Sequence, residues 1–333
     1  MRIGLAYDLK DDIEAGGDLP EDALEEYDSV RVIRALSGNL RSLGHRTINL
    51  GGGRKFLANI LKTKVDLVFN ISEGRGNLRS RESQVPAVLE MLNIPYTGSD
   101  PLTLAITLDK PLAKQIVSDA GVSTPAWVTV SCQEDIKTLK GQSIPLPAFI
   151  KPAFEGSSKG IRLTSRVSTA RQALVAAGAL LRQYNQPVII EKYIDGEEIT
   201  VGITGNNPPS IVGIMRVVPK KKYRTFVYSL EIKRDWRNLV DYECPAGLAA
   251  STLKRISVAS IRAYKALGCR DCARVDFRVT PNGTPYFLEV NPLPGLNPDS
   301  GDLPIMSYKM GWTYQRLIRA ILEAALKRSR LCL

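Results

Sequence analysis

Three oxygen-bearing side chains near the C-terminus, Asp276, Glu289 and Asn291, lie within the stretch ARVDFRVTPNGTPYFLEVNPLPG at 273–295. It reads as two extended runs joined by Asn282-Gly283, a dipeptide that tolerates the positive φ angles of a two-residue type I′ turn. Val275, Phe277 and Val279 alternate with Arg274, Asp276 and Arg278, so one face is apolar and the other charged. On the second run Glu289 and Asn291 share a face, with Leu288 and Val290 behind them. A two-residue turn sets Asp276 opposite Glu289 and Arg274 opposite Asn291. Like charges directly opposite each other are unfavourable in a sheet, so the pair calls for a cation. Two carboxylates and an amide oxygen suit Mg²⁺ bound between protein and nucleotide phosphates. The plainer alternative is a solvated hairpin face on which Arg274 and Arg278 offset the acids. Pro292-Leu293-Pro294-Gly295 cannot continue a strand ladder, so the chain turns away there.

A second group is Gly156-Ser157-Ser158-Lys159-Gly160, just after Lys151-Pro152. Glycines let backbone N–H groups approach an anion, and two hydroxyls and a lysine add donors. The loop matches neither of the common nucleotide-loop patterns, so its weight comes from company: a strand lysine before it and an acidic hairpin after it. A third group spans 219–242, where Lys220, Lys221, Lys222, Arg224, Lys233, Arg234 and Arg237 are interleaved with Tyr223, Phe226, Tyr228 and Trp236. It reads as an active-site lid, as a platform for single-stranded nucleic acid, or as a solvated basic hairpin.

The elements that must position these groups alternate between strand and helix. Strands are expected at 1–7, 46–50, 65–71 and 94–98, with helices at 29–43, 55–62 and 82–92. That order implies a doubly wound parallel sheet with ligands at the strand C-terminal ends. An acid-rich loop at 8–28 follows the first strand, with a solvated surface loop as its simplest reading. Beyond 101 a helix at 102–120 carries Asp109-Lys110, and strands follow at 126–130, 148–151 and 187–192. A final amphipathic helix, 312–328, is expected to pack on the C-terminal domain. Domain boundaries fall near 101 and 187, giving an N-terminal α/β domain (1–101), a central domain with the phosphate loop (102–187) and a C-terminal domain with the metal site (188–333).

The chain has 333 residues, 44% hydrophobic and 24% charged, which is ordinary for a globular protein of two or three domains. The longest apolar run, 173–181, is too short to span a bilayer, and the N-terminus opens as a strand rather than a signal peptide. Cytoplasmic residence without membrane attachment is the expectation. A net charge of +11 favours anionic partners without choosing among them. Five cysteines are too few and scattered for a disulfide framework, and Cys269-Arg270-Asp271-Cys272 is a lone CxxC better suited to packing than to zinc. The single histidine, His45, excludes a His-based triad.

The order LDK, KP…EGSSKG, EKYIDGEE and ARVDFR…FLEVNPLPG, with NIPYTGS at 93–99 and CPAGL at 244–248, resembles the ATP-grasp ligases and most closely the D-alanine–D-alanine ligase group. The resemblance covers nearly the whole chain. It implies a three-domain ATP-grasp architecture of α/β and α+β domains, with ATP held between two antiparallel sheets. It further implies that Lys110 and Lys151 contact the nucleotide phosphates and that Gly156, Ser157 and Ser158 form the triphosphate lid. Glu191, Lys192, Tyr193 and Ile194 would meet adenine, and Glu198 the ribose. Asp276, Glu289 and Asn291 would hold two Mg²⁺ ions, with Mn²⁺ a substitute, and Arg274 would face the transferred phosphoryl group or the tetrahedral intermediate. Glu26 would hold the ammonium of the first substrate.

The implied reaction joins two amino acids, or an amino acid and a small peptide, through an acylphosphate. A peptide ligase of secondary metabolism and a nucleic-acid-binding protein with a degenerate nucleotide fold are the alternatives. The intact Lys110, Lys151, Asp276, Glu289 and Asn291 set disfavours nucleic acid as a partner. A homodimer is compatible with the pattern but not required by it. The chain departs from the group in Glu73-Gly74 where His-Gly is usual, in Lys233-Arg234 where Lys-Tyr is usual, and in LNPDSGDLP after Gly295. Arg234, a permanent forked cation, is expected either to pair with an internal acid such as Glu73 or to meet a substrate carboxylate.

Overall fold

The computed structural model describes residues 1–13, 19–223 and 225–331 of the chain. Positions 14–18 of the acid-rich loop, and Arg224 of the basic segment, lie outside the described residues.

Strands β1 (Arg2–Tyr7), β2 (Arg46–Gly51) and β3 (Leu67–Ile71) form a parallel sheet in the order β2-β1-β3. Side-chain alternation divides it into two faces. Ile3, Leu5, Phe69 and Ile71 face the helices Val30–Ser42 and Tyr314–Arg328, whereas Ala6 and Val68 face Gly53–Lys62 and Gln84–Met91. The expected strand at 94–98 is reduced to one bridge, Val68 to Tyr96. The final helix meets the C-terminal domain as expected, sharing a cluster with Val212, Cys272, Leu296 and Leu303, but it also covers the first sheet. Its stripe Leu317, Ile318, Ile321 and Leu322 is fully buried in the same cluster as Val32, Leu36 and Leu40, so it closes the N-terminal sheet. Its amphipathic pattern fixed the need for a partner but not which partner.

Strands β4 (Trp127–Val130), β5 (Ala148–Pro152), β6 (Arg166–Val167) and β7 (Val188–Lys192) make a second sheet, ordered β4-β7-β5-β6. Strand β7 pairs antiparallel with both β4 and β5. The central sheet therefore runs past the expected boundary at 187. Ala148, Ile150, Val188 and Ile190 pack on the helix Ala170–Tyr184, which leaves Phe149, Lys151 and Glu191 on the opposite face.

Strands β8 (Glu197–Thr204), β9 (Ser210–Pro219), β10 (Val240–Glu243), β11 (Cys272–Val279) and β12 (Pro285–Asn291) make an antiparallel sheet in the order β10-β9-β8-β11-β12. Ile199, Val201, Val275, Phe277 and Phe287 pack on the helices Lys110–Asp119 and Ala250–Ala266. The single helix expected at 102–120 is two helices, Pro101–Leu108 and Lys110–Asp119, broken at Asp109. Asp109 leaves the helical region and its side chain accepts from the Leu112 N–H, a standard N-cap. The break puts Lys110 on the first turn, where its ammonium donates to the Glu155 carbonyl oxygen and stands 3.3 Å from Glu289. Among the described residues no helix is long and apolar enough to cross a membrane.

Candidate active site

The β11–β12 hairpin reaches its expected pairing by an unexpected route. Only Gly283 takes a positive φ (+76°), and its N–H donates to the Thr280 oxygen at 2.7 Å. Thr280 and Thr284 close a three-residue loop of turn-plus-bulge type, rather than a two-residue type I′ turn. This offsets the register by one, so Phe277 pairs with Phe287. A bulge between Asp276 and Phe277 then restores it, leaving Asp276 opposite Glu289 and Arg274 opposite Asn291. The extra residue is Leu288. It lines the cavity together with Glu289 instead of standing behind it, because a bulge turns two successive side chains toward one side.

A cavity lies between the inner faces of the second and third sheets. Lys151 and Glu191 line it from one side; Glu198, Thr200, Arg274, Asp276, Arg278 and Glu289 line it from the other. The lid residue Ser158 and the segment Phe226-Val227-Tyr228 cover it. Opposite charges run through its wall. Lys110 stands 3.3 Å from Glu289, and Lys151 and Lys114 approach Glu191 at 2.7 and 2.8 Å. Burial disfavours the charge of Glu289, but Lys110, Lys151 and Arg274 overcome it and hold the carboxyl down at about 2. Burial pushes Asp276 the other way, above the usual carboxylate range, and the Arg274 guanidinium only partly offsets it. Burial also lowers Lys114 to about 8, despite Glu191 beside it.

Ser157 and Ser158 both take positive φ (50° and 60°), a backbone arrangement that turns successive N–H groups toward an anion. Tyr193 stacks between the guanidinium groups of Arg278 and Arg166, at 5.0 and 5.2 Å from its ring centroid. Glu198 pairs with Arg278 at 2.8 Å. Ile194 lines the cavity and gives its carbonyl oxygen to Arg278. Lys192 lines the cavity with its ammonium turned to the Leu146 carbonyl oxygen. Asn291 lies at a second cavity, where its amide oxygen accepts the Leu293 N–H at 2.9 Å.

That second cavity shares Arg274, Lys233, Tyr228 and Asp302 with the first. Glu26, Asp28 and Glu73 line it beside Ser157. Glu26 is already taken: Arg81 reaches its two oxygens at 3.2 and 3.0 Å and Lys159 approaches at 2.8 Å. Burial opposes its charge, and those two cations overcome it and lower its pKa. Lys159 therefore spends its ammonium on Glu26 and Glu155, where the loop composition had suggested an anion donor. Glu73 and Asp28 have no hydrogen-bond or ion-pair partner for their carboxyls among the described residues. Burial raises Glu73 well above the usual range with Glu82 and Glu26 adding to it; burial and Asp8 raise Asp28 to about 7. Asp8 holds this edge in place, accepting the Gly74 N–H at 3.0 Å and pairing with Arg75. Gly74 has φ +80°, and a Cβ there would lie 1.9 Å from the Arg81 carbonyl oxygen, so only glycine permits the turn.

The comparisons with known proteins fall on this geometry. Residues 116–323 match the family described as D-ala D-ala ligase C-terminus. The chain is 31% identical over 294 residues to the D-alanine–D-alanine ligase of Aquifex aeolicus, covering 88% of this chain and 94% of that one. It is 34% identical over 265 residues to the corresponding ligase of Trichlorobacter lovleyi, covering 79% and 80%. The chain belongs to the D-alanine–D-alanine ligase family. The crystal structure of the Bacillus anthracis D-alanine–D-alanine ligase complexed with ATP overlays with a TM-score of 0.77 at 26% identity, covering 99% of both chains. The ATP-grasp architecture follows.

Within this family frame, several residues that matter here carried no recognisable signal in the sequence. Arg81 is 1% exposed and joins Glu26 to the Phe154 carbonyl oxygen (2.7 Å) and to Glu155. Asp22, in the acid-rich loop, accepts the Gly160 N–H at 2.9 Å and the Tyr184 hydroxyl at 2.8 Å. Arg234 does not pair with Glu73: it stands at the edge of the second cavity with its guanidinium paired to Glu25 at 2.7 Å and Glu21 at 2.8 Å. The acid-rich loop is thus a clasp joining the phosphate lid on one side to the basic segment on the other. The basic segment forms helices Leu230–Arg234 and Trp236–Leu239, and the Leu230 N–H reaches the Ile161 oxygen beside the lid. Its aromatics turn inward: Trp236 packs on Tyr242 at 5.2 Å, and Tyr223, Phe226 and Tyr228 pack on the third sheet's buried cluster. Such side chains offer no stacking platform to a nucleic acid.

Proposed function

We propose that this protein is an ATP-dependent, ADP-forming ligase that joins two amino acids by an amide bond, in the manner of D-alanine–D-alanine ligases. The observation that carries the reading is the Asp276–Glu289 pair, set opposite each other in a cavity that Lys151 and Arg274 also line, with Lys110 3.3 Å from Glu289. An oxygen of the first amino acid's carboxylate attacks the γ-phosphorus. The bond to the β,γ-bridging oxygen breaks and its electron pair leaves with ADP, giving an acylphosphate. The neutral amine of the second amino acid attacks the acyl carbon; its nitrogen gives up a proton to solvent or the departing phosphate, and the C–O bond breaks to release phosphate. Both steps depend on positioning and on neutralising spreading negative charge, which Lys110, Lys151 and Arg274 provide.

Asp276, Glu289 and Asn291 would hold the divalent cation. All three offer hard oxygen donors, and two carboxylates leave coordination positions for phosphate oxygens and water, which suits Mg²⁺. When bound, that ion supplies charge neutralisation at the phosphates. Glu191, Lys192, Tyr193 and Ile194 would frame adenine, Glu198 the ribose, and the Gly156-Ser157-Ser158 loop the triphosphate. For the first amino acid's ammonium, Glu73 and Asp28 are better placed than Glu26, whose charge two cations already meet. ADP release measured over a panel of D- and L-amino acid pairs tests the reading. Amino-acid-dependent ADP release with dipeptide formation is expected, and its absence for every pair would overturn it.

A further inference from the structure

Arg274 carries more protein carboxylate than its proposed task requires. Its Nε and Nη2 reach Asp276 at 3.1 and 2.9 Å, and its Nη1 reaches Asp302 at 3.0 Å. Asp302 begins the helix Asp302–Lys309, in the segment LNPDSGDLP that departs from the family's usual stretch. Both carboxylates are largely buried, with 12% side-chain exposure each, and Asp302 lines both cavities. The two acids face different demands. Asp276 belongs to the proposed cation site and also accepts the Thr200 hydroxyl at 3.0 Å, whereas Asp302 has no protein partner besides Arg274 among the described residues. A carboxylate committed to a guanidinium is a poorer ligand for a cation, so whatever draws Arg274 outward favours the metal site.

We infer that Asp302 is a positioning residue that holds the Arg274 guanidinium by its free end, fixing it between the two cavities and easing its grip on Asp276. Asp302 itself touches neither nucleotide nor metal in this scheme; it acts through Arg274, as residues behind metal ligands commonly do. Its backbone is set by Gly301, where a Cβ would lie 2.6 Å from the Gly295 oxygen, so the helix start cannot drift without unseating Asp302. The inference rests on the ligase reading, and its test separates the two.

Binding of ADP to the full-length protein is measured by calorimetry across a Mg²⁺ titration, for wild type, Asp302→Asn and Asp302→Glu, alongside kcat and KM. In Asp302→Asn, Arg274 falls back on Asp276, so the half-saturating Mg²⁺ concentration rises about tenfold and kcat drops by about 10–100-fold. ADP affinity without Mg²⁺ stays as in wild type, and Asp302→Glu, which keeps the charge, recovers part of both losses. An unchanged Mg²⁺ requirement in Asp302→Asn overturns the inference. So does an equal loss in the Asn and Glu variants confined to the KM of an amino acid, which would make Asp302 a substrate contact. If Asp302→Asn does not fold, the same titration on Asp302→Glu decides, with no shift in Mg²⁺ requirement or kcat counting against the inference. Failure of the wild type to turn over any amino acid pair would instead fall on the ligase reading and leave the Mg²⁺ titration interpretable.

Discussion

Glu26 separates two accounts of the acid-rich loop, one in which it grips substrate and one in which it clasps the protein. Glu26 and Glu155 stand against Arg81 and Lys159, two acids and two bases, all with side chains less than a tenth exposed. These four charges offset one another, and Glu82 is a further buried acid beside Arg81. Glu26→Gln removes one negative charge and three contacts of 2.8 to 3.2 Å, leaving two buried cations to share Glu155. Breaking a buried pair from one side costs about 3–5 kcal/mol, because the surviving charge is uncompensated. Glu155 can absorb part of that, which places the expected loss near the lower end, about 3 kcal/mol. With a slope of roughly 3 kcal/mol per molar urea, the midpoint falls by about 1 M. The second variant, Glu26→Gln with Lys159→Met, leaves Arg81 and Glu155 to offset each other and recovers most of the loss. The carboxyl of Glu26 is lowered in the folded state, so its contribution is present above 4.5 and disappears as pH falls through the folded value. Wild type and Glu26→Gln should therefore converge in acid. The assay is urea unfolding followed by tryptophan fluorescence, run beside amino-acid KM determinations. A Glu26→Gln protein with an unchanged midpoint and a large KM increase that Lys159→Met does not relieve would refute the clasp and return Glu26 to the substrate.

Three further outcomes are expected. Glu289→Gln keeps the far-ultraviolet circular dichroism of wild type but loses Mg²⁺-dependent ADP release, because it removes a carboxylate held ionised by Lys110 and Lys151; release at the wild-type rate would count against the hairpin as metal site. Glu73→Gln and Asp28→Asn each raise the KM of the first amino acid about tenfold or more, the worth of a charged hydrogen bond. Because Asp28 is raised to about 7, that KM should fall as pH rises from 6 to 8 and flatten in Asp28→Asn; identical profiles would exclude Asp28. Arg234→Tyr leaves the ranking of substrate pairs unchanged, since Glu21 and Glu25 consume the guanidinium, but exposes residues 219–242 to trypsin. A reordered substrate ranking would show that Arg234 reads the substrate.

The hairpin at 273–295 shows how far sequence pattern carried. Alternation of apolar and charged residues fixed which face met the cavity, and the Asp276–Glu289 pairing came out as expected. The turn did not: Pro281 and Gly283 favoured a three-residue loop, and a bulge at Leu288 cancelled the offset. The register was correct because two one-residue changes opposed each other. Lys110 and Lys151 were legible because each sits in a short motif beside a cap or a strand. Arg81, Asp22 and Asp302 were not, since each acts through a partner at least 28 residues away in the chain.

The amino-acid sequence by itself determined the strand–helix alternation of the N-terminal domain, the charged face of the β11–β12 hairpin and the motifs that identify an ATP-grasp ligase. Those features are local: strand alternation, helix caps and turn residues are set by neighbours within a few positions. Tertiary structure decided what each charge is for. It gave Glu26 and Lys159 to each other, set Arg234 on Glu21 and Glu25, and placed the last helix on the first sheet. A buried charge is governed by whichever opposite charge folding brings within a few ångströms, and that choice is made across the chain rather than along it.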